Sequence, residues 1–221
     1  MRYGLVSLAL LTPLAFIPFR PHPPSEVIRT WCSRDLAEPL SRVEAFPIPG
    51  HSDRFVAICD YQREWNGFFG VYHISGNHVQ WQAQIDAEPD EQSIDSVRSL
   101  LLPGFKLPIV EVFGMTHRGN GNLYLYELKD RQLRLLLTTK AVEGNAGLFM
   151  FQGGRLTPEY RDLNGDGYAD LILEGIEEEW DEKGKNLIHR EPLRQVFLWD
   201  PTMDRFSEDV SSREGVAEYY D

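Results

Sequence analysis

Positive charge is scarce in this chain. Its 22 lysines and arginines face 34 aspartates and glutamates, a formal net charge of -12. Such a field repels phosphate backbones, which excludes nucleic acid as the main partner, and it is equally the acidity that solubility alone would produce. Catalytic signatures are missing too. The six histidines, at 22, 51, 73, 78, 117 and 189, form neither H-E-x-x-H nor any zinc-type pairing, and the two cysteines form no C-x-x-C; zinc chemistry loses its usual support. There is no G-x-S-x-G elbow and no G-x-x-x-x-G-K-[ST] cradle, and the glycines of GNGN (119–122) read as a turn between strands. Helical periodicity is almost absent beyond residue 25.

Only one long apolar run occurs, and it is at the start. Met1 and Arg2 give a short positive beginning, and Tyr3 to Phe19 are apolar apart from Ser7 and Thr12. This is the pattern of an export signal, followed by a proline-rich linker, so residues 1–25 are set apart from the fold. Two outcomes stay open. The segment is removed, although no clear small-residue cleavage site is present, or it stays as a short membrane tether interrupted by Pro13 and Pro18. The only cysteines, Cys32 and Cys59, suit an exported protein, in which they would form one disulfide; the alternative is two thiols.

Residues 26–221 read as a single all-β domain: short apolar or alternating runs are punctuated by Gly, Asn, Asp and Pro. One stretch, Asp86 to Val97, could hold a helical turn. Laying the runs over one another exposes three repeat units, at about 42–85, 98–139 and 147–210. The first has FVAICDY, FFGVYHI, the turn SGN and HVQWQAQI. The second has PIVEVFG, NLYLYEL, the turn KDRQ and LRLLLTT. The third has ADLILEG, RQVFLWD, the turn PTMD and RFSEDV. Tyr72, Tyr126 and Trp199 are each followed seven positions on by Val79, Leu133 and Phe206, which predicts one hairpin register for all three. Upstream strands at RVEAF, RSLLL and GLFMF would make three four-stranded antiparallel meanders. They would build a β-propeller-like body, an incomplete propeller or a sandwich.

Against this background one segment carries chemistry. DLNGDGYADLIL, residues 162–173, places oxygen side chains at Asp162, Asn164, Asp166 and Asp170, with glycines at 165 and 167. Calcium takes six to eight oxygens at about 2.3–2.6 Å, and alternate residues of a tight loop can point inward where glycine permits a positive φ. Asp162, Asn164 and Asp166 would bind through side chains, Tyr168 through its carbonyl, and Asp170 directly or through water. The loop begins like an EF-hand but has Leu173 where a bidentate Glu belongs, and an apolar strand follows it. EEEWDEKGK (177–185) reads as an exposed hairpin tip rather than a second cation site.

The pattern D-x-N-x-D-G-x-x-D running straight into an apolar strand resembles the calcium loop of FG-GAP and VCBS-type repeats, the blades of integrin-like β-propellers. The resemblance spans about residues 147–207, and RQVFLWDPTMDRF is similar to the strand-turn-strand that closes such a unit. It implies one structural Ca2+ on Asp162, Asn164, Asp166, Tyr168 and Asp170, and no other, because the first two units carry HSDRF and FKLPI where the loop would be. The expectation is an exported, secreted or periplasmic, non-enzymatic module that presents loops to an unknown protein or glycan partner. The alternative is a secreted hydrolase acting on a glycan or ester through a carboxylate pair whose spacing only a fold can supply. Five Trp and nine Tyr are available to line a glycan surface, or to fill a β core.

Overall fold

The computed structural model describes residues 22–34, 39–62, 66–89, 93–115, 121–146, 151–181 and 186–212; the export-like segment, residues 1–19, lies outside them. The described residues are all-β apart from helix α1 (Pro24–Cys32) and a 3-10 turn at Val210–Ser212. The helix falls partly where the linker was expected. Its start is written in residues that sequence patterning overlooked: Pro24 opens the first turn, Glu26 favours its N-terminal dipole, and Val27, Ile28, Trp31 and Cys32 share one face.

Three four-stranded meanders follow, as the repeat predicts. The first is a sheet of β1 (Leu40–Pro47), β2 (Arg54–Tyr61), β3 (Gly67–Ser75) and β4 (His78–Gln82), antiparallel in sequence order. The short β5 (Gln84–Ile85) crosses over to pair in parallel with the start of β9. The second unit is β6 (Ser93–Leu100), β7 (Ile109–Met115), β8 (Gly121–Lys129) and β9 (Gln132–Ala146). Ser93 to Leu100 is strand, so no helical turn forms there, and Leu101 and Leu102 fall beyond it. In the third unit β11 (Thr157–Arg161) pairs with β12 (Asp170–Trp180), which pairs with β13 (Leu187–Asp200) and then β14 (Arg205–Glu208). The fourth strand of this unit is therefore β11 and not GLFMF, whose first four residues lie outside the described ones.

The intervening β10 (Phe151–Arg155) lies between β9 and the far half of β12 and joins units two and three into one continuous sheet. At Leu156 the chain leaves β9, and β11 continues along the near half of β12 alone. Units two and three are thus one sheet at the β10 end and two facing layers at the β11 end. They form an incomplete, propeller-like arrangement rather than separate blades.

The common spacing of seven does not give a common register. In the first two hairpins the pairs one step from the turn are Ile74 with Val79 and Leu128 with Leu133, across two-residue turns at Gly76–Asn77 and Asp130–Arg131. In the third Trp199 itself pairs with Phe206, across the four-residue turn 201–204. Tyr72 and Tyr126 face Gln82 and Leu135 instead, because the two-residue turn sets the register, with one further step from a bulge between His73 and Ile74 in the first hairpin. Turn length sets register.

The core is layered in chain order. Val110, Val112, Tyr124 and Tyr126 of the middle unit pack against Val56, Ile58, Phe69 and Val71 of the first. The alternate residues Ile109, Phe113, Leu123 and Leu125 pack against Leu171, Leu173, Phe197 and Trp199 of the third. A strand covered on both faces must be apolar at consecutive positions, which is why β7 reads IVEVFG. The outer face of the first sheet is covered by α1 through Val27, Ile28 and Cys32.

Candidate functional site

The Asp162–Asp170 segment is the connection between β11 and β12, whose ends pair at Arg161 and Asp170. The expected loop forms, and its side chains fold it. Asp162 accepts hydrogen bonds from the backbone N–H of Gly165 at 2.7 Å and of Gly167 at 2.9 Å. Asn164 and Asp166 each accept from the N–H two residues on, Asp166 and Tyr168, at 2.9 and 2.8 Å. These are Asx turns, the local reason that this residue pattern makes a loop. Gly165 and Gly167 take φ values of 78° and 90°, which a β-carbon would strain. Residues Asp162 to Gly167 are exposed to solvent.

Asp170 is placed differently. It is fully buried, and its two oxygens accept the N–H of Leu163 at 2.9 Å and of Trp199 at 2.8 Å. It therefore ties the start of the loop to β13. The Tyr168 side chain packs into the core beside Phe105 and Trp199, leaving its backbone as its contribution to the loop. Asp166 is joined to Asn164, whose amide donates to it at 3.0 Å. Among the described residues no three carboxylate, histidine or cysteine side chains converge into a metal-holding group, so Asp162, Asp166 and Asp170 share the loop without meeting at one point.

Donor chemistry nevertheless fits a hard cation. Every candidate ligand is an oxygen, and each carboxylate oxygen engaged by one N–H keeps a further lone pair. Asp162, Asn164 and Asp166 could supply side-chain oxygens on the exposed side, Tyr168 its carbonyl, and Asp170 the buried anchor.

The loop is braced from behind by the turn at Pro103–Gly104. Ala169 donates its N–H to the Pro103 carbonyl at 3.0 Å. Gly104 has φ +82°, and a β-carbon there would stand 2.6 Å from the Gly167 carbonyl oxygen and 2.7 Å from the Tyr168 α-carbon. Gly104→Ala is expected to destabilise the protein by roughly 2–5 kcal/mol, combining left-handed strain with overpacking against backbone. Gly50→Ala, at φ +79° with open space around it, supplies the strain without the clash. Denaturant unfolding of the two variants should show the larger loss at Gly104; equal losses would mean that the turn does not brace the loop.

A second polar cluster, which sequence reading missed, lies between units two and three. Glu111 is 3% exposed on the β7 face that meets β11. It takes a two-pronged pair from Arg98, with the second contact at 2.9 Å, and the hydroxyl of Tyr160 donates to it. Burial, then the negative charge of Glu111, holds the Tyr160 hydroxyl well above the usual tyrosine range, while the hydrogen bond to Glu111 raises the Arg98 guanidinium. Glu111 also lines a cavity of about 330 Å³ with Ser96, Phe113 and Thr157. Its single charge inside PIVEVFG was the available signal. Glu111 and Asp170 are the buried carboxylates of the described residues, and each is bound to structural partners rather than to the other.

Comparisons with family models, with curated proteins and with solved structures find no match for this chain.

The remaining acidic stretch forms the expected hairpin only in part. Glu177 to Trp180 belong to β12, and the turn is closed by the Asp181 N–H donating to the Asn186 carbonyl at 2.8 Å; residues 182–185 lie outside the described ones. Glu178 pairs with Arg190 across the strands at 3.4 Å.

Proposed function

We propose that this chain is an exported, non-enzymatic interaction module whose third β-unit carries one structural Ca2+ in the Asp162–Asp170 loop. The observation that supports it most is the loop itself. Four oxygen side chains are gathered in nine residues; Asn164 and Asp166 shape its backbone through Asx turns, Asp162 accepts two further backbone N–H groups, and Asp170 is anchored in the core. The resemblance to FG-GAP and VCBS-type calcium loops points the same way, as does the export-like start for placement outside the cytoplasm, secreted, periplasmic or tethered to a membrane. The ion would organise the loop and perform no chemistry, holding the exposed Asp162, Asn164 and Asp166 to the buried Asp170. The partner is then a protein or glycan read by the exposed loops of the stacked meanders.

Calcium should raise the melting temperature. Carboxylates gathered in one loop repel each other until a divalent cation sits among them. A site that binds only the folded state contributes RT ln(1 + [L]/Kd), about 2.7 kcal/mol at a hundredfold excess over Kd, or roughly 5–10 °C for a chain of this length. Asp166→Ala should remove most of that shift, and Asp181→Ala, in the acidic hairpin, should keep it. Thermal unfolding in chelator and in millimolar calcium decides the matter: equal melting temperatures, with no binding heat by calorimetry, would sink the proposal.

A further inference from the structure

Helix α1 and strand β2 each bring one cysteine to the same buried place. Cys32 is the last residue of α1, and Cys59 lies within β2; they are 5% and 0% exposed. The Cys59 thiol is in hydrogen-bonding contact with Cys32, and the Tyr72 hydroxyl, 3.7 Å from the Cys32 sulfur, touches both. Both sulfurs are held as thiols here rather than as the bond that an exported chain suggests. The elements that carry them are otherwise fixed: Trp31 packs edge-on against Tyr72 at 5.8 Å, and Arg29 donates to the Leu40 carbonyl at 2.7 Å. Contact between two packed sulfurs is the geometric condition that most cysteine pairs in a sequence fail to meet.

We propose that Cys32 and Cys59 are a disulfide-forming pair whose oxidation staples α1 to the outer face of the first sheet. The oxidant is a small-molecule or protein disulfide. The less buried Cys32 attacks it as thiolate and becomes a mixed disulfide, releasing one thiol. Cys59 then attacks the Cys32 sulfur and expels the second thiol. Two electrons pass to the oxidant, and the two protons end on the two thiols released. Because the pair is enclosed, the reaction proceeds while α1 is lifted from the sheet, before or during folding. Afterwards the same packing shields the bond from reductants.

The staple matters because α1 is the outermost layer. Val27, Ile28 and Cys32 are its buried side chains, so a few contacts hold the lid over Val43, Ala57, Tyr72 and Ile74. The bond would close the chain from residue 32 to 59 and restrict the unfolded ensemble accordingly.

The test uses the full chain, unfolded and refolded in chelator with either reduced or oxidised glutathione, so that calcium plays no part. Each sample is then denatured, treated with a maleimide and weighed. The expected oxidised product takes up no label, is about 2 Da lighter, and melts roughly 5–10 °C above the reduced form. Cys32→Ala should erase that difference while retaining its own cooperative transition. Two maleimides per chain, or two glutathione adducts, from the oxidised sample would overturn the pairing. A bond that forms without raising the melting temperature would overturn the staple.

Discussion

Asp170→Ala is expected to cost about 3–5 kcal/mol in chelator, with the melting temperature falling by roughly 10 °C. The side chain is fully buried, and its removal takes the acceptor from two backbone donors, the Leu163 and Trp199 N–H groups. An unsatisfied buried donor loses about 1–3 kcal/mol, more when its partner was charged. Asp170→Asn should lie between, because its amide keeps one acceptor and turns a donor toward the other N–H. Asp166→Ala, on the exposed side of the same loop, should stay within about 1 kcal/mol of the unmodified protein when calcium is absent. Denaturant titrations at one temperature compare the three. If Asp170→Ala in chelator were no worse than Asp166→Ala, Asp170 would not be the fastening between loop and sheet. The pair of variants also separates two jobs of one motif: Asp166 should matter only with calcium present, Asp170 with or without it.

Stability should also fall steeply at alkaline pH. Burial chiefly raises the Tyr72 and Tyr160 hydroxyls well above the tyrosine range, and the contact with Cys32, followed by burial, raises the Cys59 thiol. The Tyr160 ring is partly open to solvent, but its hydroxyl end is enclosed with Glu111. All three groups keep their protons in the folded state while the unfolded chain releases them, the thiol from about pH 8.5 and the phenols from about pH 10. The unfolded state then binds fewer protons, so the slope of stability with pH is negative, up to about 1.4 kcal/mol per pH unit for each group. Below pH 8 nothing is lost; by pH 11 the sum approaches about 6 kcal/mol in the reduced protein. Denaturant midpoints from pH 8 to 11 measure it. Tyr72→Phe and Tyr160→Phe should each flatten the curve above pH 10, and oxidation of the cysteines should remove the part that begins near pH 8.5. A flat profile to pH 11 would show that none of these groups is held protonated.

The layered core explains why these buried polar groups fall where they do. Each lies at a join: Tyr72 and Cys59 under α1, Glu111 and Tyr160 between units two and three, and Asp170 where the loop meets the neighbouring strands β12 and β13 of one sheet. Fully apolar joins would pack as densely, but a carboxylate that must meet Arg98 and Tyr160, or two N–H groups, admits one alignment of its layers. Such groups favour a unique docking over a slipped one.

Much of the fold was legible because it is local. Period-two runs bounded by Gly-Asn, Asp-Arg and Pro-Thr-Met-Asp place nine of the strands and all three hairpin turns, and the spacing of Asp162, Asn164, Asp166 and the two glycines makes the loop, since Asx turns and positive φ need only neighbouring residues. Other features depend on partners far along the chain. Sequence could not show that β10 would join two units, because Phe151–Arg155 is matched to β9 and β12 only in three dimensions. Equal spacing of Trp199 with Tyr72 and Tyr126 concealed unequal turns, and register follows the turn. Asp170 was one ligand among five until burial made it a fastening, and Glu111 was one acid among 34 until the β7 face closed over it. Residue order thus determined which segments are strands and that residues 162–170 turn as one oxygen-rich loop. Tertiary structure decided which side chains lose their water, and with it which charges and thiols can act.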